Sequence, residues 1–280
     1  MIKIVDINTF EKPQWCPGCG DYGILIGIKQ AIASIDKELK DLVIVSGIGC
    51  GGKIPHYIRA YGYEGLHGRL LPLAMGIKMA NPDLTVIAMG GDGDGLSEGG
   101  NHLIHAARYN VDITYILQDN QVYGLTTGQS SPTSPKGLKT KTFPDGTLIE
   151  PVKQIPMLVS QKASFVATAY AGNMKHMVEV IKAGILHKGF SYINVYQPCV
   201  TWNYQNTYEW YSKRIYITDH NPEDFEQAWK KANEPYDTNW EKIPLGIIYK
   251  NNSLTFDDEI LQIVGNLRKS PIVNLENIFV

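Results

Sequence analysis

Short apolar runs rich in Val and Ile alternate with amphipathic stretches along this chain. The apolar runs are typical of buried strands and cover residues 42–46, 85–89, 113–117, 164–169, 191–196 and 245–250. Between them, apolar residues at helical spacing predict helices over residues 22–40, 96–109, 174–188, 223–231 and 257–268. An alternation of strands and helices predicts an α/β fold with a parallel sheet.

The most informative unit is the strand–turn–helix–strand segment between residues 85 and 117. It predicts a right-handed βαβ crossover, in which a glycine-rich turn containing Asp92 follows the first strand. Asn120 follows the second strand, 28 residues after Asp92 (120 − 92). Both residues are therefore expected at the carboxyl edge of the sheet, where open α/β sheets bind their ligands.

The side chains at this edge predict a magnesium–diphosphate site. Asp92 offers a carboxylate, Asn120 a side-chain carbonyl and Val122 a backbone carbonyl. These three hard oxygen donors are too few to enclose Mg²⁺ but suit holding it against a diphosphate. Glycines beside Asp92, including Gly93, would let the backbone approach phosphate oxygens. The alternative is a structural turn with an Asn cap, for which the spacing is less typical.

Length and composition narrow the classes of protein. The 280 residues suit one large α/β domain or one domain with a tail, and 44% apolar residues suffice for a core. A net charge of −2 argues against a nucleic-acid surface and a basic membrane-binding patch. No apolar run reaches the length of a membrane span, and the first residues lack signal-peptide features, so we expect a cytoplasmic protein.

Four cysteines occupy loop positions rather than strand interiors. Cys16 and Cys19 lie in a C-P-G-C-G turn, which by itself fits zinc, an iron–sulfur cluster or a redox dithiol. Cys50 lies in the glycine-rich loop after the first strand, and Cys199 follows the strand at 191–196. We expect the four thiols to converge at the edge of the sheet that carries Asp92.

Several other segments have both a functional and a structural interpretation. Lys53 is either a solvated surface charge or a site residue, and His67 in L-H-G-R is either a packed histidine or part of a polar pocket. The irregular region from residue 125 to about 156 is long enough to indicate function or a partner contact. Residues 201–211 are rich in Trp and Tyr, which favours a protein interface over a small core.

Six motifs in order resemble the β subunit of 2-oxoacid:ferredoxin oxidoreductases, a family of thiamine-diphosphate enzymes. They are C-P-G-C-G, G-I-G-C-G-G, L-H-G-R, G-D-G-D-G, D-N-Q-V-Y-G-L-T-T-G-Q and Q-P-C, between about residues 13 and 203. The resemblance implies a parallel-sheet thiamine-diphosphate-binding fold with helices on both faces. We expect this domain to cover residues 1–203, with residues 204–280 as a C-terminal extension that wraps around the domain or packs on a partner subunit.

The resemblance also assigns roles to individual residues. It implies one [4Fe–4S] cluster on Cys16, Cys19, Cys50 and Cys199, and Mg²⁺ on Asp92, Asn120 and the Val122 carbonyl. It implies that Lys53 meets the substrate carboxylate, with His67 beside it in the catalytic site. The residues expected to contact thiamine diphosphate are Ile48, Gly49, Cys50, Gly51, His67, Gly93, Asp94, Gly124 and Leu125.

The implied reaction is the coenzyme A-dependent oxidative decarboxylation of a 2-oxoacid, such as pyruvate or 2-oxoglutarate, to an acyl-CoA and CO₂. Thiamine diphosphate supplies carbanion chemistry that side chains lack, and ferredoxin accepts electrons singly, which requires a one-electron relay. A non-redox thiamine-diphosphate decarboxylase or synthase subunit has no use for four placed cysteines. A non-catalytic, zinc-stabilised nucleotide-binding subunit is the alternative from another class.

Two features of the chain bear on its partners. Thiamine enzymes need a carboxylate at the aminopyrimidine; no clear candidate is present, and in the family an α or fused α/γ subunit supplies it. Glu64 is the first candidate within this chain. Relatives often read G-L-T-K-G-Q, with the lysine linked to coenzyme A binding, whereas this chain has Thr127. Lys136 and Lys139 are the candidates to replace that lysine.

Overall fold

The computed structural model describes residues 2–264 as an α/β protein built on one large sheet. Its strands are β1 (Leu42–Ser46), β2 (Tyr61–Glu64), β3 (Thr85–Gly91), β4 (Thr114–Asp119), β5 (Val122–Tyr123), β6 (Gln129–Ser130), β7 (Phe165–Tyr170), β8 (Ser191–Tyr196), β9 (Ile215–Ile217) and β10 (Ile243–Lys250). Its α-helices are α1 (Ile4–Ile7), α2 (Gly20–Ala33), α3 (Leu70–Ala80), α4 (Gly100–Tyr109), α5 (Gln154–Ser160), α6 (Met174–Leu186), α7 (Tyr208–Ser212), α8 (Phe225–Asp237) and α9 (Phe256–Val264).

Eight strands form the main sheet in the order β2-β1-β3-β4-β8-β7-β10-β9. The first six strands in this order, β2, β1, β3, β4, β8 and β7, are parallel to one another. β3 and β4 are neighbours, as the predicted crossover requires. β10 pairs antiparallel with β7, and β9 runs parallel to β10. The buried β10, which includes the apolar run at 245–250, therefore extends the same sheet.

Helices cover both faces of this sheet, as expected for the fold class. One apolar layer packs α3, α4, α5 and α8 against side chains such as Val86, Leu117 and Tyr192. The opposite layer packs α2 and α6 against side chains such as Ile44 and Ile116. Because both faces are covered, the central strands β1, β4, β7 and β8 are buried along their whole length instead of alternating between buried and exposed residues.

Some helix ends differ from the sequence prediction. α2 ends at Ala33, well before residue 40, and a 3₁₀ turn at Leu39–Asp41 leads into β1. The helix predicted from residue 96 begins instead as a π-helical turn, Asp94–Glu98, before α4. α4 ends at Tyr109 because Asn110 adopts the left-handed conformation with φ of 51°. The part of the last predicted helix beyond residue 264 lies outside the described residues.

The aromatic segment after Cys199 only partly fits the interface predicted for it. Tyr211 is fully buried and packs with Tyr170, Tyr196 and the half-buried Trp210 in a separate aromatic core. Tyr204, in contrast, is 78% exposed. The density of aromatic residues therefore reflects mainly the packing of α7 onto the end of the sheet, a contact that residue composition cannot distinguish from an interface.

None of the helices formed by residues 2–264 combines the length and the apolar character needed to cross a membrane.

Candidate cofactor and thiol site

The carboxyl ends of β1, β3, β4 and β8 converge on one cavity, which we call the loop cavity. It contains every residue that the sequence associated with the diphosphate cofactor and its metal. The lining residues are Ile48, Gly49, Cys50, Gly51, His67, Gly91, Asp92, Gly93, Asp94, Gln118, Asn120, Val122, Tyr123, Gly124, Leu125, Thr126 and Gln197. Parallel strands bring these loops together because their carboxyl ends share one edge of the sheet.

Two hydroxyl side chains, those of Ser131 and Thr133, hold Asp92 at this edge, and we call this pair the hydroxyl strap. Asp92 Oδ2 accepts hydrogen bonds from Ser131 and from Thr133 Oγ1, the latter at 2.6 Å. Burial raises the pKa of the Asp92 carboxyl, and the two hydroxyl bonds oppose that shift. The sequence analysis did not identify Ser131 and Thr133 as site residues. The signal for them is the hydroxyl-rich run from Ser130 to Ser134, which directly follows the motif ending in G-L-T-T-G-Q.

A second buried carboxylate lies behind the first. Thr133 Oγ1 also lies 2.8 Å from Asp119 Oδ1, while the amides of Gln154 and Asn194 each donate to Asp119 Oδ2 at 3.2 Å. Burial, followed by the nearby charge of Asp92, raises the pKa of Asp119 to about 7. Asp119 therefore anchors the strap and is not among the residues lining the loop cavity.

The turn after β4 presents the other expected metal ligands. Val122 N donates to Asn120 Oδ1 at 3.0 Å, which closes an Asx turn with Gln121 in the left-handed conformation at φ of 63°. Asn203 Nδ2 donates to the Asn120 carbonyl at 3.0 Å and fixes the turn from the C-terminal side. The side chain of Asn120 and the backbone of Val122 therefore have set positions beside Asp92.

Asp94 ties three loops together. Its Oδ1 accepts from the backbone N–H groups of Ile48, at 2.9 Å, and Gly68, at 2.8 Å. A Cβ at Gly47 would lie 1.9 Å from Asp94 Oδ2, so only glycine leaves room for this carboxylate. His67 Nδ1 lies 2.8 Å from Glu98 Oε2, which orients the imidazole at the rim of the cavity.

Gly93 is required for a reason other than the one expected from the sequence. A Cβ there would lie 2.3 Å from the Tyr123 ring, whose hydroxyl donates to the Gly93 carbonyl at 3.3 Å. The glycine therefore makes room for an aromatic side chain. Whether it also lets the backbone approach a phosphate stays a prediction.

The four cysteines line a second cavity of about 470 Å³, which we call the thiol cavity. Its lining residues are Gln14, Trp15, Cys16, Cys19, Cys50, Lys53, Asn120, Gly124, Leu125, Thr127, Gln197, Cys199, Val200, Thr201 and Trp202. Cys16 is exposed, Cys50 is half-buried, and Cys19 and Cys199 are buried. The fold therefore brings together thiols from three distant parts of the chain.

Burial raises the pKa of the thiols of Cys19, Cys50 and Cys199. It raises the pKa of Cys50 to about 12 and also raises the pKa of Cys19, where the nearby Asp21 adds to the shift. At Cys199, burial raises the pKa as well, but the backbone N–H groups of Thr201, Trp202 and Asn203 oppose it. A cationic centre that binds thiolates would offset these shifts.

The spacing of the thiols tests which metal centre could fit. Within residues 2–264, no three His, Cys, Asp or Glu side chains converge closely enough to hold a metal ion. A Cβ placed on Gly124 would lie 3.6 Å from Cys50 Sγ and 3.7 Å from Cys199 Sγ, so both thiols lie against Gly124. Thiols spread around a roomy cavity fit a multi-atom cluster better than one tetrahedral ion.

Three lysines near these loops have defined contacts. Lys53 lines the thiol cavity and donates to the Gln14 carbonyl at 3.2 Å. Lys136 pairs with Glu150 at 2.7 Å, away from Thr127. It is Lys141 that reaches Thr127, with Nζ 3.2 Å from Oγ1 and 4.8 Å from the centroid of the Trp202 ring.

Comparison with known proteins identifies the class that this fold and site define. Residues 47–195 match the family described as thiamine pyrophosphate enzyme, C-terminal TPP binding domain. Residues 199–264 match the family that describes the C-terminal part of the pyruvate ferredoxin oxidoreductase β subunit. The matched segments contain the residues that line both cavities except residues 14–19 and Gln197. The protein therefore belongs to the α/β proteins with a thiamine pyrophosphate enzyme C-terminal domain.

Whole-chain relatives narrow this class. The chain is 47% identical to a 2-oxoacid:ferredoxin oxidoreductase subunit beta of Sulfolobus sp., over 87% of this chain and 83% of the relative. It is 45% identical to the subunit of that name from Saccharolobus solfataricus, over 90% and 87%. The chain belongs to the β-subunit family of the 2-oxoacid:ferredoxin oxidoreductases.

A solved structure is similar over almost the whole chain. It is the 2-oxoglutarate:ferredoxin oxidoreductase from Magnetococcus marinus with 2-oxoglutarate, coenzyme A and succinyl-CoA bound. The TM-score is 0.92 with 36% identity, covering 99% of this chain and 94% of that one. This similarity confirms the expected fold.

Proposed function

We propose that this chain is the β subunit of a coenzyme A-dependent 2-oxoacid:ferredoxin oxidoreductase that uses thiamine diphosphate, Mg²⁺ and one [4Fe–4S] cluster. The observation that carries the proposal is that the loop cavity and the thiol cavity share a wall. Cys50, Asn120, Gly124, Leu125 and Gln197 line both. An electron donor in one cavity would therefore lie directly beside an acceptor in the other.

Each cavity has the ligand chemistry that its proposed occupant requires. Asp92, Asn120 and the Val122 carbonyl would hold Mg²⁺, since hard cations prefer oxygen ligands. The four cysteines would hold the cluster through thiolates. Thiamine diphosphate, when bound, supplies the carbanion chemistry that side chains cannot. The chain's own loops, clamped by Asp94, orient it and exclude water.

The substrates follow from the same arrangement. A 2-oxoacid such as pyruvate or 2-oxoglutarate loses CO₂, and coenzyme A accepts the acyl group, as the ligands of the Magnetococcus marinus structure suggest. Written with its electrons, the reaction is RCOCOO⁻ + CoASH → RCO–SCoA + CO₂ + H⁺ + 2e⁻. The electrons would leave one at a time through the cluster to ferredoxin.

The chain is proposed to hold half of an active site. Among the described residues lining the loop cavity, the only carboxylates are Asp92 and Asp94. Asp92 is assigned to Mg²⁺, and Asp94 Oδ1 accepts two backbone N–H groups while its Oδ2 is buried, so neither is placed to meet an aminopyrimidine. Glu64, the first candidate from the sequence, pairs with His56 at 2.9 Å. An α subunit would supply the missing acid.

The chain alone, loaded with thiamine diphosphate, Mg²⁺ and its cluster, is expected to be inactive with pyruvate or 2-oxoglutarate and coenzyme A. Addition of the α subunit should restore 2-oxoacid-dependent reduction of ferredoxin or of a dye. Stopped-flow and steady-state assays of the same preparation with and without the partner measure this. Turnover by the chain alone at a rate comparable to that of the complex would contradict the half-site proposal, and Glu64→Gln would then test the internal acid.

We also propose that Lys141 provides the cation that relatives place at position 127. Its ammonium group lies at the mouth of the thiol cavity, beside Thr127 and Trp202, where a phosphate of coenzyme A would approach. Trp202 holds the ammonium by a cation–π contact, and the ammonium keeps further N–H groups for an anion.

Replacing Lys141 with alanine should raise the KM for coenzyme A about tenfold, because one charge-assisted contact to an anion is lost. The KM for the 2-oxoacid should change little. Lys139→Ala, a nearby exposed lysine in the same loop, is the matched control and should leave both constants unchanged. Equal effects of the two substitutions would show that Lys141 acts only through general surface charge.

A further inference from the structure

Gln197 occupies a position between the two cavities that its role in the fold does not explain. It follows β8 directly, its side chain is buried, and it lines both the loop cavity and the thiol cavity. Its backbone N–H donates to the Asp119 carbonyl at 2.9 Å, which fixes the residue at the end of the sheet.

The side-chain amide of Gln197 is directed at a thiol. Its Nε2 donates to Cys19 Sγ at 3.2 Å, across 178 residues of sequence. Its Oε1 is buried without a hydrogen-bond partner among the described residues. A Cβ on Gly20 would lie 2.6 Å from Gln197 Cγ, so the glycine at the start of α2 lets the amide approach.

This arrangement of the Gln197 amide contributes little to the stability of the fold. A neutral thiol is a weak acceptor, and an unpaired buried amide oxygen costs free energy. The N–H···S bond becomes much stronger when the sulfur carries negative charge, as it does in a metal-bound thiolate. The geometry therefore suits a charged Cys19 sulfur better than the free thiol.

We propose that Gln197 sets the reduction potential of the cluster held at Cys19 and thereby favours electron transfer from the loop cavity. This inference rests on the proposed function. An N–H group that bonds to a ligand sulfur stabilises the added negative charge of the reduced cluster, which raises its potential. Each of the two electrons released per 2-oxoacid would reduce the cluster once and then pass to one ferredoxin.

The test is an EPR-monitored redox titration of the complete complex carrying Gln197→Met or Gln197→Glu. Methionine keeps the volume but removes the N–H, so the midpoint potential should become more negative while the iron content stays at the wild-type value. Glutamate has nearly the same shape, and its buried carboxyl group can donate an O–H to the sulfur in place of the N–H, so its shift should be smaller than that of methionine. The rate of cluster reduction by the 2-oxoacid should fall in the same order.

Gln118→Met is the matched control. Gln118 is a buried amide that also lines the loop cavity, but it has no hydrogen bond to a thiol among the described residues. Its substitution should leave the midpoint potential unchanged. A wild-type potential in Gln197→Met at full iron content would overturn the inference and leave the proposed function intact. If wild-type protein carries no iron and shows no EPR signal after reduction, the proposed function itself fails.

Discussion

Replacing Cys199 with serine is expected to remove the cluster almost completely, although Cys199 lies 180 residues from Cys19 in sequence (199 − 19). The Cys199 thiol lies beside Gly124, as Cys50 does, and within a turn of three backbone N–H groups that favour negative charge. Serine is a poor ligand for iron, and the remaining three thiols would leave one corner of the cluster open.

The measurement is the iron and sulfide content of purified protein, together with the visible absorption spectrum. Val200→Ala, the neighbouring position on the same loop, should retain both. Thiamine diphosphate binding should also survive in the serine variant, because the proposed metal ligands of the two cavities are separate side chains. Full iron occupancy and an unchanged spectrum in Cys199→Ser would show that the four-ligand hypothesis is wrong.

Replacing Asp92 with alanine should abolish Mg²⁺-dependent binding of thiamine diphosphate while leaving the cluster intact. Removing a residue that only hydrogen-bonds to a metal ligand commonly lowers metal affinity by about 10- to 100-fold. Removing a ligand itself should therefore lower the affinity by at least about 100-fold. The substitution also removes the buried carboxylate that accepts from the Ser131 hydroxyl and leaves Thr133 with Asp119 alone. Calorimetric titration with the cofactor at several Mg²⁺ concentrations measures the effect.

Asp145→Ala provides the control, because Asp145 is an exposed acid in the loop that follows the strap. It should bind the cofactor like the wild type. Asp92→Asn should fall between the two, since the amide keeps an oxygen ligand but loses its charge. Wild-type cofactor affinity in Asp92→Ala, with the same dependence on Mg²⁺, would remove Asp92 from the metal site.

The convergence of both cavities at one edge of the sheet was predictable because it follows from chain direction. Asp92 and Asn120 end neighbouring parallel strands, so they must lie close together whatever the loops do. The helix ends were less predictable. The helix that follows Asp92 starts with a π-helical turn in which Gly95 lies against the Tyr115 hydroxyl, a contact between distant elements.

The sequence by itself determined the parallel α/β frame, the helices on both faces, the family, and that the Asp92 and Asn120 turns lie at the same edge of the sheet as the cysteine loops. Only the tertiary structure decided which side chains hold those residues in place. Thr133 reaches Asp92, Lys141 reaches Thr127 and Gln197 reaches Cys19. The physical reason is that strands and helices have periodic patterns, whereas the path of a loop depends on packing between residues far apart in the chain.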